Sequence, residues 1–147
     1  MYHVLMPIDS DEDRAMGQVE AILDLPAADD EVTVTLLHVF DDDSVAESTS
    51  PTQIAAGRAV QDRLQDHGIA VETMSTSGKP PNAILNAADE ARADAIVLGG
   101  RKRSPLGSLI FGSVSQAVML DSAIPVMITG SLEAQKQPMP SEASATE

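Results

Sequence analysis

A cationic segment that contains glycine lies between an apolar run and a helical pattern in the second half of the chain. It extends from Leu98 to Val114, and Arg101, Lys102 and Arg103 stand side by side within it. These are three of only nine Lys and Arg residues in a chain of formal net charge −14. Glycine lets backbone amides approach a ligand closely, and the N–H groups that open a helix point at an anion placed before it. The segment therefore predicts an anion site, with phosphate as the best-fitting ligand.

A carboxylate stands at the end of the first apolar run. Pro7-Ile8-Asp9 closes this run, which is typical of a buried strand. Asp9 either caps the helix that follows or contacts a ribose or Mg²⁺, and both interpretations stay open. His38, near the end of the second run, is interpreted as a packed or hydrogen-bonded residue rather than a catalyst. The ends of two runs thus provide one candidate ligand and no dedicated acid–base catalyst.

Apolar runs alternate with helical patterns, which is typical of a three-layer α/β/α fold with a parallel sheet. The pattern predicts five strands, over residues 3–9, 32–40, 69–76, 95–98 and 124–129. It predicts four helices, one capped by Ser10 and the others beginning at Pro51 or Thr52, at Pro81 and near Val114, with a loop over 41–50. In an open five-stranded sheet of order 3-2-1-4-5, the ligand crevice lies where the order reverses, at the carboxyl ends of strands one and four. Asp9 and Gly99 would both border that crevice.

Composition excludes several function classes. The chain has no Cys, so disulfides, thiol catalysis and sulfur-ligated zinc are excluded. It contains neither the Gly-Lys-Ser or Gly-Lys-Thr of a P-loop nor a Gly-x-Ser-x-Gly nucleophile elbow. The 23 Asp and Glu residues are dispersed, which opposes binding to nucleic acid and anionic membranes and resembles proteins of salt-loving organisms. No run is apolar enough for a membrane span or a secretion signal, so we expect a cytoplasmic protein.

The domain organisation follows from where the periodic pattern stops. Residues 1–130 carry the alternating strands and helices and are expected to form one domain. Residues 131–147 are rich in Ser, Glu, Pro and Gln and lack periodicity. Such a segment buries too little apolar surface to offset its ordering entropy. We therefore expect a disordered acidic tail.

An ordered set of short motifs resembles the universal stress protein family. The set consists of Pro7-Ile8-Asp9, Leu37-His38-Val39, the run 93–99 (Ala-Asp-Ala-Ile-Val-Leu-Gly), Gly112-Ser113-Val114 and Pro125-Val126. The resemblance covers residues 3–130 and implies an α/β adenine-nucleotide-binding sheet. It implies ATP or another adenine nucleotide as the ligand, with a site that includes Pro7, Asp9, Val39, Gly99, Gly112, Ser113 and Val114. Position and charge add Ile8, Leu98, Arg101, Lys102 and Arg103 to the predicted site, and Asp9 is the candidate ligand for Mg²⁺.

One position departs from the family's ATP signature, which is Gly, two residues, Gly, nine residues, Gly, then Ser or Thr. In this register Gly99 and Gly112 match, but Lys102 replaces the middle glycine. The lysine adds a Cβ where backbone would touch phosphate, and its ammonium group also offers phosphate a point charge. The sequence leaves open which effect dominates.

Two function hypotheses follow. The first is a stress-response regulatory protein that binds an adenine nucleotide and hydrolyses it slowly at most, because no residue is positioned as a general base. The second is a dimeric universal stress protein that has lost the nucleotide and acts through protein–protein interaction. Both include a homodimer, because the last strand would be an exposed apolar edge that another chain must cover. Ile124, Val126 and Ile128 are the predicted interface residues.

Overall fold

A single parallel sheet of five strands organises the computed structural model, which describes residues 1–100 and 112–130. The strands are β1 (Tyr2–Pro7), β2 (Val32–Phe40), β3 (Ala70–Ser77), β4 (Ala95–Gly99) and β5 (Val126–Thr129). Their order across the sheet is β3-β2-β1-β4-β5, and every neighbouring pair is parallel. The predicted α/β class and strand order are therefore confirmed.

Helices cover both faces of the sheet. They are α1 (Glu12–Leu23), α2 (Ala28–Glu31), α3 (Asp43–Ser48), α4 (Ala55–Asp66), α5 (Pro80–Ala91) and α6 (Ser113–Asp121), with a 3-10 turn at Pro51–Gln53. Successive side chains of a strand point to opposite faces, so β1 contributes to two cores. Val4 and Met6 pack with the face that α1 and α4 cover, and Leu5 packs with the face that α5 and α6 cover.

The stretch 41–50 was predicted as loop, and this is wrong because it contains α3. The side chain of Asp42 caps this helix by accepting hydrogen bonds from the hydroxyl and the backbone N–H of Ser44, each 2.8 Å long. Both bonds lower the pKa of the Asp42 carboxyl, and the bond from the Ser44 hydroxyl has the larger effect. None of the α3 residues is buried, so the helix lacks the apolar stripe by which periodicity is detected.

The cap of α1 also differs from its prediction. Asp11, not Ser10, is the N-cap, and its side chain accepts a 3.0 Å hydrogen bond from the backbone N–H of Arg14. Carboxylate and hydroxyl caps are nearly equivalent, so adjacent Ser and Asp residues leave the start uncertain by one position. The strand before it ends at Pro7 rather than Asp9, which leaves Asp9 in the turn that leads into α1.

The last strand begins later than predicted. Residues 124–129 were expected to form it, but β5 starts at Val126. The backbone N–H of Ile124 bonds the hydroxyl of Ser122 at 3.2 Å, which keeps Ile124 in the preceding turn. Pro125 has no N–H to contribute to a ladder, although its carbonyl accepts a 2.9 Å bond from Ile96.

Candidate functional site

A crevice opens where β1 and β4 diverge. The ladder between them pairs Val4 with Ala95 and Leu5 with Ile96. Beyond it, the amide Nε2 of Gln18 donates to the carbonyls of Pro7 and Val97, at 2.7 and 2.9 Å. Gln18 is 1% exposed, and its amide donates to one carbonyl of each strand beyond the end of their ladder. A helix side chain thus bridges the two strand ends, at the point where the strand order reverses.

The crevice encloses a cavity of about 280 Å³, close to the roughly 300 Å³ at which small-molecule pockets begin. Nine residues that the sequence predicted for the site line it, and they are Pro7, Ile8, Asp9, Val39, Leu98, Gly99, Gly112, Ser113 and Val114. The fold thus brings together groups more than 100 positions apart in the chain. The three predicted cations, Arg101, Lys102 and Arg103, lie outside the described residues. The assignment of all twelve to a nucleotide remains a prediction.

Six further residues line the cavity that sequence reasoning missed, namely Arg14, Gln18, His38, Pro80, Ile84 and Ser115. A signal existed for two of them. Arg14 and Gln18 are four positions apart on α1, so they share one helix face. Gln18 lies beside the apolar positions Ala15, Val19 and Ile22 that α1 buries. A polar pair at helical spacing next to a buried stripe indicates a helix that presents polar groups to a site.

Arg14 and Asp9 form an ion pair at the cavity wall. The Nη1 atom of Arg14 donates to Oδ2 of Asp9, and its Nη2 lies 3.5 Å from Oδ2 of Asp11. The other oxygen of Asp9 accepts a 2.9 Å bond from the backbone N–H of Asp11. The side chains of Arg14 and Asp9 are 26% and 51% exposed, so water reaches the pair. Asp9 is thus engaged with the start of α1 on both oxygens.

The stem of Arg14 lies directly against Gly99. A Cβ at position 99 would overlap Cγ and Cδ of Arg14, so a glycine is required for this close approach. The Nε atom of Arg14 is buried and has no hydrogen-bond partner among the described residues. The guanidinium is therefore held beside β4 by packing and uses only its terminal nitrogens to pair with carboxylates.

The N-terminus of α6 opens onto the same cavity. Its N-cap is Gly112, which brings no side-chain hydrogen bond, and its first turn contains no acidic residue. By contrast, α1 begins with a capping aspartate and two acidic residues. The first N–H groups of a helix have no partner within the helix, and the helix dipole makes this end positive. Gly112, Ser113 and Val114 therefore present to the cavity a positive helix end, of the kind at which anions are often bound in proteins.

His38 contributes to the wall but is already hydrogen-bonded. Its Nδ1 lies 2.8 Å from the carbonyl oxygen of Ile8, and its ring packs edge-on against Phe40 at 4.5 Å. A carbonyl accepts only, so Nδ1 carries the proton in this contact. The predicted reading of His38 as a hydrogen-bonded residue agrees with this geometry.

Within residues 1–100 and 112–130, no three or more His, Asp or Glu side chains are grouped so as to hold a metal ion. In the same part of the chain, none of the helices has the length and apolar character that a bilayer crossing requires.

Comparison with known sequences places the chain in a family. A sequence profile described as the Universal stress protein family matches residues 1–130. The chain belongs to this family. A universal stress protein of Mycolicibacterium smegmatis is 36% identical over 69 residues, which are 46% of this chain and 53% of that protein. Universal stress protein YxiE of Bacillus subtilis is 37% identical over 68 residues, 46% of each. The matched part thus spans about half the length of these curated relatives.

Solved structures of the family share the fold. A universal stress protein from Archaeoglobus fulgidus is 28% identical with a TM-score of 0.64, covering 88% of this chain and 98% of that chain. A family member from Arabidopsis thaliana with AMP bound has a TM-score of 0.67 at 16% identity, covering 95% and 98%. A universal stress protein in complex with cAMP has a TM-score of 0.63 at 21% identity, covering 88% and 97%. At 16% and 21% identity, the last two similarities show a shared fold and nothing more.

Proposed function

We propose that this protein is a cytoplasmic stress-response regulator that binds ATP or a related adenine nucleotide in the cavity between β1 and β4. One observation carries the proposal: a helix end without a side-chain cap, the strand-end Gly99 and Arg14 line one cavity in a chain of net charge −14. An anion is the ligand that such a cavity favours within an otherwise acidic protein. Adenine is supported by family members whose structures contain AMP, dAMP or cAMP.

Each part of a nucleotide has a matching wall. The N-terminus of α6, with Gly99 opposite it, suits the phosphates, and Arg101, Lys102 and Arg103 would add positive charge from the segment that follows β4. Val39 and Ile84 supply apolar surface for a base, and Val39 adds the backbone polar groups of a strand end. Asp9 provides a carboxylate that suits a ribose hydroxyl or a phosphate-bound Mg²⁺.

Binding rather than hydrolysis is the proposed activity. Attack of water on a phosphate needs a group that orients the water, usually a carboxylate or an amide within reach. Among the described lining residues, Asp9 is assigned to the ribose or Mg²⁺ of the bound nucleotide, and the amide of Gln18 is used by two carbonyls. We therefore expect hydrolysis to be slow at most, with occupancy of the site as the regulatory signal.

Mg²⁺ would accompany the nucleotide through Asp9. Carboxylate and phosphate oxygens are the ligands that Mg²⁺ prefers, and it usually keeps several waters. Asp9 is half-exposed, so exchanging Arg14 for a hydrated cation exposes no buried charge. Asp9 can bind the metal only after its ion pair with Arg14 has opened.

We also propose a homodimer that forms through β5. β5 is an edge strand of the described sheet, and it pairs with β4 along one edge. Pro125 and Thr129 direct their carbonyls to β4, where Ile96 and Gly100 donate to them. Backbone groups alternate along a strand, so those of Val126 and Ile128 point away from β4. Met127 adds an exposed apolar side chain, 40% accessible, which a second copy would cover.

The experiment is a search for the ligand itself. The freshly purified protein is denatured, and the released small molecules are identified by mass spectrometry and quantified against protein. AMP, ADP or ATP in near-stoichiometric amount supports the proposal. If nothing is released, and ATP with Mg²⁺ shows no saturable binding up to millimolar concentration, the dimeric interaction protein without nucleotide is the better account. The Lys102 departure then explains the loss.

A further inference from the structure

Arg14 is the one Lys or Arg among the described lining residues of the cavity. It belongs to α1, not to the cationic segment 101–103 in which the sequence placed all the positive charge of the site. Its stem is fixed against Gly99, beside the wall assigned to phosphate. The guanidinium therefore sits where a phosphate chain would pass, and its direction is set by packing.

The present partners of Arg14 are replaceable. Its pairs with Asp9 and Asp11 involve carboxylates that are 51% and 48% exposed. Solvent-exposed ion pairs contribute little to stability, because water and salt screen them. They also leave the Nε hydrogen without a hydrogen-bond partner among the described residues. A phosphate group offers Arg a stronger acceptor, with a geometry that suits two parallel N–H···O bonds.

We infer that Arg14 is the specificity-determining residue that makes this site prefer nucleotides with more phosphate charge. This inference rests on the proposed function. Arg14 exchanges Asp9 and Asp11 for the phosphates of the ligand, and the same exchange frees Asp9. Adenosine, which carries no phosphate, gains nothing from the exchange. The residue therefore raises affinity along the series adenosine, AMP, ADP and ATP.

The test compares this ligand series across matched variants at fixed ionic strength. Arg14→Met removes the charge but keeps a long stem against Gly99, and Arg14→Lys restores a charge without the bidentate geometry. Arg63→Met is the control. This variant also removes an arginine from an ion pair. Arg63 of α4 bonds Glu20 of α1 at 2.9 Å, and neither residue lines the cavity. Circular dichroism and a thermal melt confirm that each variant folds.

We expect Arg14→Met to lower the affinity for ATP about tenfold or more, as loss of a charge-assisted hydrogen bond does, while the affinity for adenosine stays unchanged. Arg14→Lys should recover part of the ATP affinity, and Arg63→Met should bind like the wild type. An equal loss for adenosine and ATP, or no loss for either, overturns the inference and leaves the nucleotide site standing. If the wild type binds no member of the series, both the inference and the proposed function fail.

Discussion

Gln18 of α1 donates a 2.9 Å hydrogen bond to the carbonyl of Val97 in β4, 79 positions further along the chain. The same amide also donates to Pro7 at the end of β1. One side chain therefore bridges the two strands at the mouth of the crevice. Its role is to satisfy backbone groups that the sheet cannot pair there.

Replacing Gln18 with Leu should destabilise the fold. The change keeps the side-chain volume but leaves two buried carbonyls without donors. Each unsatisfied buried group costs about 1 to 3 kcal/mol, so for two groups we expect a loss of about 2 to 6 kcal/mol in the free energy of unfolding. Denaturant titration in constant salt measures it. The control is Gln65→Leu on the exposed face of α4, which should change little. Equal stabilities for the two variants would show that the bridge is unimportant.

Gly57→Ala should destabilise the protein although Gly57 lies inside a helix. Helix propensity alone favours alanine by about 1 kcal/mol. A Cβ at this position would overlap the carbonyl of Pro51, whose backbone packs on α4. Such overpacking typically costs about 1 to 3 kcal/mol, so the sign of the change reverses. A lowered thermal midpoint is expected, and a raised one would mean that the turn at Pro51–Gln53 moves aside without cost.

Asp9→Asn tests the proposed metal contact. Asparagine still accepts from the N–H of Asp11 but is a weak ligand for Mg²⁺ and a weaker partner for Arg14. We expect the ratio of ATP affinities with and without Mg²⁺ to fall toward one. The free energy of unfolding should change by less than about 1 kcal/mol, because the ion pair is exposed. Calorimetric titrations in Mg²⁺ and in EDTA give the ratio. If Asp9→Asn keeps the wild-type ratio, Mg²⁺ binds elsewhere.

The proposed homodimer is tested by mass in solution. Light scattering coupled to size exclusion, run in molar salt to screen the acidic surface, should give twice the 15.4 kDa of one chain. Met127→Glu places a charge on the exposed apolar side chain of β5 and should shift the population toward monomer. Leu120→Glu on α6 is the control, since Leu120 is also exposed but lies on a helix. A wild-type monomer at every concentration tested contradicts the proposal.

The sheet was predictable because buried parallel strands leave a strong signal. β1 and β4 are apolar runs without alternation, and β2 is rich in β-branched residues, so their type and order followed from the pattern. The turn after α4 also has a local cause, since Gly68 adopts a positive φ of 79°, a conformation that favours glycine after a helix. What the pattern missed were α2, which is only four residues long, and α3, which buries no residue and is defined by its cap.

The site was predictable only in part, for a related reason. Asp9 and Gly99 were assigned to one crevice from their positions at the ends of strands, and the family resemblance added Gly112. Arg14 and Gln18 act through the tertiary packing of α1 against β1 and β4. Their spacing puts them on one helix face, but only the fold shows that this face meets the diverging strands. For side chains that reach a site from a covering helix, the spacing shows that they share a face, and the fold is needed to show what that face meets.

The most direct test of the central claim is a calorimetric titration of the wild type and Ser113→Glu with ATP and Mg²⁺ in molar salt. Ser113 is exposed at the start of α6, so a carboxylate there suits the helix dipole while it repels a phosphate in the cavity. We predict saturable binding of one nucleotide per chain for the wild type, and its loss in Ser113→Glu at unchanged or higher thermal stability. Equal binding by both proteins, or no binding by the wild type, would contradict the account.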